Sequence, residues 1–256
     1  MSIQLRRKEE IELMRRANMA VYEVLQILRE MVLPGVTTAE LDQRAKDECV
    51  RRGAVPAFLN YPSPSPDVAP FPGVICSSVN DVIVHGMSSN EPLKDGDILS
   101  IDFGCSIDGY FGDAALTVPV GNVSAKAAHL VDVTRQSLER AIEACIAGNR
   151  IGDISHAVQS LAEANGFGVV REFVGHGIGT RMHEPPHVPN FGQAGQGRQL
   201  KPGMVIAIEP MITEGSFETK ILDDGWTAVT KDGSLAAHFE HTVAITTDKP
   251  YVLSRP

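Results

Sequence analysis

Two distant stretches of this chain have closely similar sequences. LKDGDILSID (93–102) and LKPGMVIAIE (200–209) are identical at four of ten positions, and most of the other positions are chemically similar. Each copy follows two predicted helices and ends on an apolar strand that carries a carboxylate. We therefore predict an internal duplication, in which halves of about 8–120 and 124–250 belong to a single domain, 1–256, and build one site between them.

Apolar residues at helical spacing dominate the start of the first half. They predict a helix over about 8–31 and a second helix, which begins where Thr37 and Glu40 have the spacing of a capping box and ends at Gly53. The proline-dense stretch YPSPSPDVAPFPG (61–73) must be loop. Short apolar runs then predict strands at 74–79, 82–84, 98–103 and about 109–120, with a turn at 108–109.

The second half repeats this order of elements. Ser124 is predicted to begin a long helix with one apolar side, and a second helix is predicted over 154–164, ended by Asn165 and Gly166. The strands predicted after these helices are 169–174, 204–209, 217–221 and 238–246.

The composition excludes several classes of function. Apolar residues make up 43% and charged residues 21% of the chain, the balance of an ordinary globular protein. The net charge of −9 argues against nucleic-acid binding. Four cysteines without a CxxC pair predict free thiols in a reducing compartment. The polar N-terminus, and the lack of an apolar run near the ~20 residues of a membrane helix, predict a cytoplasmic protein.

Four acidic residues interrupt apolar runs that otherwise predict strands. A four-residue loop at 106–109 would place Asp102 directly opposite Asp113 in a hairpin, where Cβ atoms lie about 4.5–5.5 Å apart. Glu209 in MVIAIEPMI and Glu240 in AAHFEHTVAI repeat the pattern. Buried carboxylates repel each other and are costly, and a divalent cation between them would reverse the sign of that energy.

Histidines supply further candidate groups. HGIGTRMH places His176 and His183 among glycines, which let the backbone approach a ligand closely. His85 ends VIVHG, where a single histidine is more typical of a structural hydrogen bond. His238 and His241 flank the last of the four acids, and we interpret them as supporting or structural residues.

Carboxylates together with an imidazole favour Mn, Fe, Co or Zn, with paired ions about 3.5–4 Å apart. The sequence contains no HExxH, no GxSxG and no Walker-type phosphate loop, so zincin, serine-nucleophile and nucleotide chemistries lack their usual context. Two simpler explanations of the acids stay open at this point. The acids could be solvated at a hairpin edge, or Lys220 and Arg171 could neutralise one or two of them.

Five motifs, in this order, resemble those of the type I methionine aminopeptidases (methionyl aminopeptidases, subfamily A of peptidase family M24): VIVHG, SIDFG with DGYFGD, GHGIG with MHEPP, AIEPM and FEHT. The resemblance runs from about residue 8 to the end. It implies the α/β (α+β) pita-bread fold of the creatinase/aminopeptidase type, with pseudo-twofold halves and antiparallel sheets flanked by helices. It also implies a metallo-exopeptidase, a hydrolase that removes the initiator methionine from nascent proteins when the second residue is small.

The resemblance implies roles for individual residues. Two divalent ions, Co, Mn, Fe or Zn, would be held by Asp102, Asp113, His176, Glu209 and Glu240. A hydroxide that bridges the two ions would attack the scissile carbonyl. Glu209 would relay a proton, while His85 and His183 would bind substrate and stabilise the transition state. The methionine pocket would be lined by Tyr61, Phe71, Cys76, Met182 and Trp226.

Two features depart from the family pattern. Met182 stands where an aromatic residue is usual, and the loop 61–73 is longer and richer in proline. Both bear on the shape of the pocket and leave the reaction intact, since a thioether packs well against methionine. We expect the loop to form part of the pocket rim.

The expected partners are N-terminal methionine peptides and nascent chains, acted on by a monomer, with no membrane and no direct reading of nucleic acid; a transient contact with the ribosome stays open. Proline-specific peptidases of the same fold are the nearest alternative, but they carry an additional N-terminal domain, and here the motifs begin too early for one. A non-catalytic relative that binds ribosomes, RNA or peptides would have lost ligands that this sequence keeps. An acid-rich structural protein without metal is the third alternative.

Overall fold

A computed structural model describes residues 3–63 and 65–256. Within these residues four helices are present: α1 (Lys8–Met31), α2 (Thr38–Arg52), α3 (Ala125–Glu143) and α4 (Ile151–Ala164). None of them is long and apolar enough to span a membrane. The strands of the first half are β1 (Val55–Pro56), β2 (Cys76–Val79), β3 (Val82–Val84), β4 (Ile98–Ile107) and β5 (Tyr110–Pro119). The strands of the second half are β6 (Gly168–Val169), β7 (Gly175–Gly177), β8 (Glu184–Val188), β9 (Val205–Ile208), β10 (Met211–Thr213), β11 (Thr219–Ile221), β12 (Ala228–Thr230), β13 (Ala236–His238), β14 (Glu240–Ala244) and β15 (Tyr251–Val252).

The signals at the helix ends act as predicted, with one exception. The Thr37 hydroxyl accepts a hydrogen bond from the Glu40 amide at 3.2 Å, and the Glu40 carboxylate accepts one from the Thr37 amide at 2.8 Å. This is the predicted capping box of α2. Helix α4 begins at Ile151, before the predicted start, because Asp153 accepts a hydrogen bond from the Arg150 amide at 2.7 Å and stabilises an earlier first turn.

One large sheet joins both halves of the chain. Its strands follow the order β1-β4-β5-β14-β9-β7-β8, with β2 also paired to β4 and β15 to β14. Smaller sheets have the orders β13-β10-β6 and β11-β12-β3. The two similar sequence stretches run into β4 and β9, which flank the central antiparallel pair β5 and β14 on either side. The sequence repeat therefore lies at matching places about the middle of the large sheet.

The hairpin of β4 and β5 has a different register from the predicted one. Its loop is the two-residue segment 108–109, with φ angles of 54° and 80°, as a type I′ turn requires. Asp102 pairs with Ala115 rather than with Asp113, so the prediction of directly opposed aspartates is wrong. The two aspartates are diagonal neighbours. Because side chains alternate along a strand, both still lie on the same face.

Several strands of the second half are shorter or more numerous than predicted. The predicted strand 169–174 is reduced to β6, and the predicted strand 238–246 is two strands, β13 and β14, in different sheets. The sequence prediction lacks β7 and β8, because GHG and EPPHV are rich in glycine and proline and show no apolar alternation. It also lacks the short strands β1, β10, β12 and β15.

Helices α1 and α2 pack on one face of β4 and β5. Ile101 and Phe103 of β4 are fully buried in this layer, so Asp102 between them points to the opposite face. On β5, Gly112 faces α1 so closely that a Cβ atom there would lie 2.6 Å from the amide nitrogen of Asn18. The alternation of β5 then turns Asp113 to the same face as Asp102.

Candidate metal centre

Five adjacent strands of the large sheet each contribute one of the predicted metal ligands. In the order of the strands, β4 carries Asp102, β5 carries Asp113, β14 begins with Glu240, β9 is followed by Glu209, and β7 carries His176. All five side chains line one cavity. Residues far apart in the sequence, from both halves of the chain, therefore meet at one place.

The donor atoms of these side chains are spaced as ligands of a shared cation would be. Nε2 of His176 lies 3.7 Å from Oδ2 of Asp113 and 3.6 Å from Oε1 of Glu209. One ligand atom each from Asp113, His176 and Glu240 lies within 4.8 Å of the others. Nitrogen and oxygen ligands bind first-row cations at about 2.0–2.2 Å, which places neighbouring ligand atoms roughly 3–4 Å apart.

Three carboxylate oxygens at this place are buried and have no hydrogen-bond partner among the described residues: Oδ1 of Asp102, Oδ1 of Asp113 and Oε1 of Glu240. A buried polar atom without a partner costs about 1–3 kcal/mol, and more when it is charged. Solvation does not explain Asp113 and Glu240, which are 3% and 2% exposed. Hard oxygen donors with one imidazole fit a divalent cation of the predicted kind.

The acids are electrostatically strained without a countercharge. Burial raises the pKa of Asp113, Glu209 and Glu240 well above the usual range, and neighbouring carboxylates raise it further. Burial likewise raises the pKa of Asp102. A bound cation would lower these pKa values, since it favours the ionised form of each group.

The two bases considered as neutralising partners lie elsewhere. The guanidinium of Arg171 stacks over the ring of Phe217, 3.9 Å from the ring centroid, and Lys220 is exposed on β11. The alternative that these two residues neutralise one or two of the acids is therefore excluded.

The ring of His176 is oriented by its own strand. Its Nδ1 lies 3.0 Å from the carbonyl oxygen of Gly177, so an Nδ1–H tautomer leaves the lone pair of Nε2 pointed at the acids. Burial lowers the pKa of His176 to about 3, so the imidazole is neutral at pH 7, as a ligand must be.

Buried polar residues fix the main chain that carries the acids. The Asn190 amide donates to the Glu209 carbonyl at 2.9 Å, and the Thr242 hydroxyl donates to the Asp113 carbonyl at 2.8 Å. Neither donor has a signal in the sequence alone. Nε2 of His238, which flanks Glu240 in the sequence, lies 3.9 Å from an oxygen of Glu209.

A mostly apolar cavity of about 170 Å³ opens beside the acids. Its remaining wall consists of Phe58, Tyr61, Phe71, Cys76, Trp226 and two histidines, His85 and His183. Phe58 is absent from the prediction, because it lies outside the recognised motifs and its stretch has no periodic pattern. Met182 does not line the cavity, contrary to the prediction. It is buried, and its Cε packs over Gly104 instead.

The proline-rich loop borders this cavity as predicted. Tyr61 and Phe71, at its two ends, are both lining residues. Between them, the carbonyl of Ala69 accepts a hydrogen bond from Nε1 of Trp226 at 2.8 Å, which ties the loop to the opposite wall.

His183 lies where the cavity meets a wider opening of about 580 Å³. The turn before it is held by Glu184, whose Oε1 accepts hydrogen bonds from the amides of Thr180 and Arg181 at 3.0 and 3.1 Å. Its other oxygen forms a buried ion pair with Arg6 from the N-terminal segment. This arrangement fixes the loop that carries His183, and the sequence gives no sign of it.

His85 lies on the far side of the opening and has a left-handed backbone, with φ of 58°. Its ring contacts Phe173 edge to face at 5.4 Å and also lies near Trp226. Burial lowers the pKa of His85 to about 4, so its ring is neutral at pH 7. A non-glycine residue in this backbone region costs energy, and such residues cluster at functional sites.

An antiparallel sheet that gathers four acids and an imidazole beside a cavity has the donor set of a metal centre, and comparison with known proteins identifies its class. The family model "Metallopeptidase family M24" matches residues 12–247, and the crystal structure of a methionine aminopeptidase from Thermotoga maritima matches with a TM-score of 0.95 and 40% identity over 100% of both chains. The chain therefore belongs to metallopeptidase family M24.

Within this family, the chain is similar over nearly its full length to several methionine aminopeptidases. The protein of that name from Clostridium perfringens is 48% identical over 250 residues, which cover 98% of each chain. The one from Aquifex aeolicus is 47% identical over 259 residues, which cover 99% of each chain.

Proline-specific peptidases share the fold at a greater distance. The prolidase from Pyrococcus furiosus matches with a TM-score of 0.76 but only 20% identity, and this chain covers 65% of its length. That likeness shows the pita-bread fold alone.

Proposed function

We propose that this chain is a metal-dependent aminopeptidase that hydrolyses the first peptide bond of proteins and peptides that begin with methionine and have a small second residue. The observation that carries the proposal is the meeting of Asp102, Asp113, His176, Glu209 and Glu240 beside an apolar cavity of about 170 Å³. The cavity would take the methionine side chain, and the names of the full-length relatives agree with that substrate.

These five residues would hold two divalent ions, Co, Mn, Fe or Zn. Bound there, the ions would polarise the scissile carbonyl and bring the pKa of a water toward neutrality.

Glu209 is the candidate for proton transfer. It is partly exposed at the cavity, while the buried ligands Asp113 and Glu240 are enclosed. From that position its carboxylate would accept a proton from the attacking water and return it to the leaving nitrogen.

His183 and His85 would act on the substrate from two sides. With Nδ1 of His183 held by Tyr61, its Nε2–H can donate to the oxygen that becomes negative, a contribution of about 3–4 kcal/mol for a well-placed donor. His85 stays neutral above about pH 4 and can hydrogen-bond the scissile amide or the leaving amine.

The cellular setting follows from the same proposal. The enzyme would work as a monomer in the cytoplasm on N-terminal methionine peptides and nascent chains, with a transient ribosome contact as an open addition. Its four cysteines are free thiols and all are buried, which suits a reducing compartment.

The test compares three peptides with the purified protein. Met-Ala-Ser should be cleaved, whereas N-acetyl-Met-Ala-Ser and Ala-Pro-Phe should not. EDTA should abolish the activity, and Mn, Fe, Co or Zn should restore it. His85→Ala and His183→Ala should lower kcat while metal content stays unchanged; loss of metal in either variant would overturn the assigned role. Cleavage of Ala-Pro-Phe in preference to Met-Ala-Ser would overturn the function itself.

A further inference from the structure

We infer that a cationic groove beside the candidate active site binds the substrate downstream of the scissile bond and favours acidic residues there. The inference rests on the proposed aminopeptidase function, because it names a further preference for the same substrate.

The groove borders the active-site opening. The opening of about 580 Å³ next to His183 shares Pro185 and His187 with a surface groove of about 540 Å³. This groove in turn shares Arg198 and Lys201 with another of about 430 Å³. We call these two connected grooves the exit groove. The methionine-sized cavity, the opening and the exit groove therefore follow one another from the acids to the surface, each sharing lining residues with the next.

The exit groove has an apolar floor and a cationic rim. Ile3, Leu5 and Met204 contribute to the floor, and Leu5 is 53% exposed there. Arg198 and Lys201 contribute to the rim. In the described chain, the residues that line the exit groove include no carboxylate. This concentration of positive charge is unusual in a chain with a net charge of −9.

The cations of the rim are available to a ligand. Arg198 and Lys201 are exposed, and over residues 3–63 and 65–256 neither forms an ion pair. Arg150, farther along, donates to the Gly197 carbonyl at 2.8 Å. The nearby carboxylate of Asp153 already accepts hydrogen bonds from two main-chain amides, those of Arg150 and Gly195, both at 2.7 Å.

A peptide is the occupant that the geometry favours. Only the first residue of a substrate fits the 170 Å³ cavity, so the rest of the chain must leave through the opening and over the exit groove. An extended chain could lay apolar atoms on the floor and acidic side chains on the rim. The phosphates of a nucleic acid would be attracted by the cations of the rim. They would be repelled, however, by the net negative charge of the protein and by the four carboxylates at the inner end of the site.

The experiment uses heptapeptides that begin Met-Ala-Ser and carry one aspartate, moved through the remaining positions, each matched with an asparagine peptide. At the position that reaches the rim, we expect the aspartate peptide to have a kcat/KM about two- to fivefold higher, the size of an exposed ion pair. High salt should remove the difference. The double variant Arg198→Gln/Lys201→Gln should also remove it, whereas the charge-matched control Lys46→Gln/Lys220→Gln should keep it.

The tripeptide Met-Ala-Ser separates this inference from the proposed function. All variants should cleave it at the same rate, because it does not reach the rim. If the tripeptide is cleaved and the aspartate and asparagine peptides are equal at every position, the inference is overturned and the function stands. If a short oligoribonucleotide binds and loses affinity only in the Arg198/Lys201 variant, with no aspartate effect, the groove serves RNA and the peptide assignment is overturned.

Discussion

The hydroxyl oxygen of Tyr61 lies 2.6 Å from Nδ1 of His183, and the two rings meet edge to face with centroids 5.4 Å apart. Burial raises the pKa of the Tyr61 hydroxyl and lowers the pKa of His183, so both groups are neutral near pH 7. A neutral tyrosine that donates to Nδ1 selects the Nε2–H tautomer of the imidazole. This hydrogen bond thus determines which ring nitrogen of His183 carries the hydrogen that a substrate would meet.

Tyr61→Phe removes that contact but keeps the ring in the cavity wall. We expect kcat for Met-Ala-Ser to fall about three- to tenfold, as the loss of about 1 kcal/mol of hydrogen bonding predicts, with little change in KM. Steady-state kinetics at neutral pH measure both constants. Tyr22→Phe, on α1 and away from the cavity, is the matched control. An unchanged kcat in Tyr61→Phe would mean that the ring of His183 is held by packing alone.

Asp113→Asn should have opposite effects on the metal-free and the metal-loaded protein. Burial and neighbouring carboxylates raise the pKa of Asp113, so a neutral amide of the same shape should raise the Tm of the metal-free protein. With excess Mn²⁺ the wild type should gain stability through binding, and the variant should gain much less. Thermal unfolding with and without metal, together with metal analysis, tests this. A lower Tm for the metal-free variant would contradict the picture of strained acids.

The buried ion pair between Arg6 and Glu184 should support both stability and catalysis. Arg6→Gln leaves a buried carboxylate without its countercharge, and we expect the free energy of unfolding to fall by about 3 kcal/mol. The loop that carries His183 should loosen, so kcat should fall as well. Arg7→Gln, the exposed neighbour, should change neither. The double variant Arg6→Gln/Glu184→Gln should recover much of the stability, and its failure to do so would mean that the pair acts mainly through packing.

Glu48 gives the fold a defined dependence on pH. It is 2% exposed and pairs with Arg44, Arg51 and Arg52 on α2. Burial acts to raise the pKa of Glu48, but the hydrogen bond and charge of Arg52 and its neighbours outweigh burial, so the pKa is lowered. The folded state therefore binds the proton less tightly than the unfolded state. The stabilisation is present above about pH 4.5 and is lost as the pH falls through the folded pKa.

Glu48→Gln should accordingly destabilise the protein by about 1.5–3 kcal/mol at pH 7, and the difference from wild type should shrink below about pH 4.5. Urea unfolding at several pH values measures both quantities. Glu143→Gln, an exposed residue at the end of α3, is the control. A difference that does not change with pH would show that Glu48 acts by shape rather than by charge.

The sequence predicts the helices of this fold better than it predicts the pairing register of the strands. Helices α1 and α2 follow from apolar spacing and a capping box, which depend on neighbours a few residues away. The hairpin register does not follow, because Asp108-Gly109 suits both a two-residue turn and a longer loop. Asp102 and Asp113 lie on the same face of the sheet, as predicted, because the observed register differs from the predicted one by an even number of residues.

The sequence likewise predicts one part of the candidate site, the acids, better than the other part, the wall of the cavity. The four acids stand out in the sequence because strands disfavour charge, and the large sheet does bring them together with the imidazole of His176. The wall of the cavity depends on tertiary packing, so Phe58 has no local signal and the neighbour of His183, Met182, turns into the core. The supporting donors Asn190 and Thr242 are ordinary polar residues until their carbonyl partners are known.

Because residue 112 is a glycine, helix α1 packs directly against the strand that carries the candidate metal ligand Asp113. With no side chain between them, the backbone of α1 rests directly on β5, and Oδ1 of Asn18 accepts a hydrogen bond from the amide of Asp113 at 3.3 Å. A displacement of the helix would therefore move Asp113 directly, because no flexible side chain lies between the two backbones. The position of the candidate ligand Asp113 therefore depends on how α1 packs against the sheet.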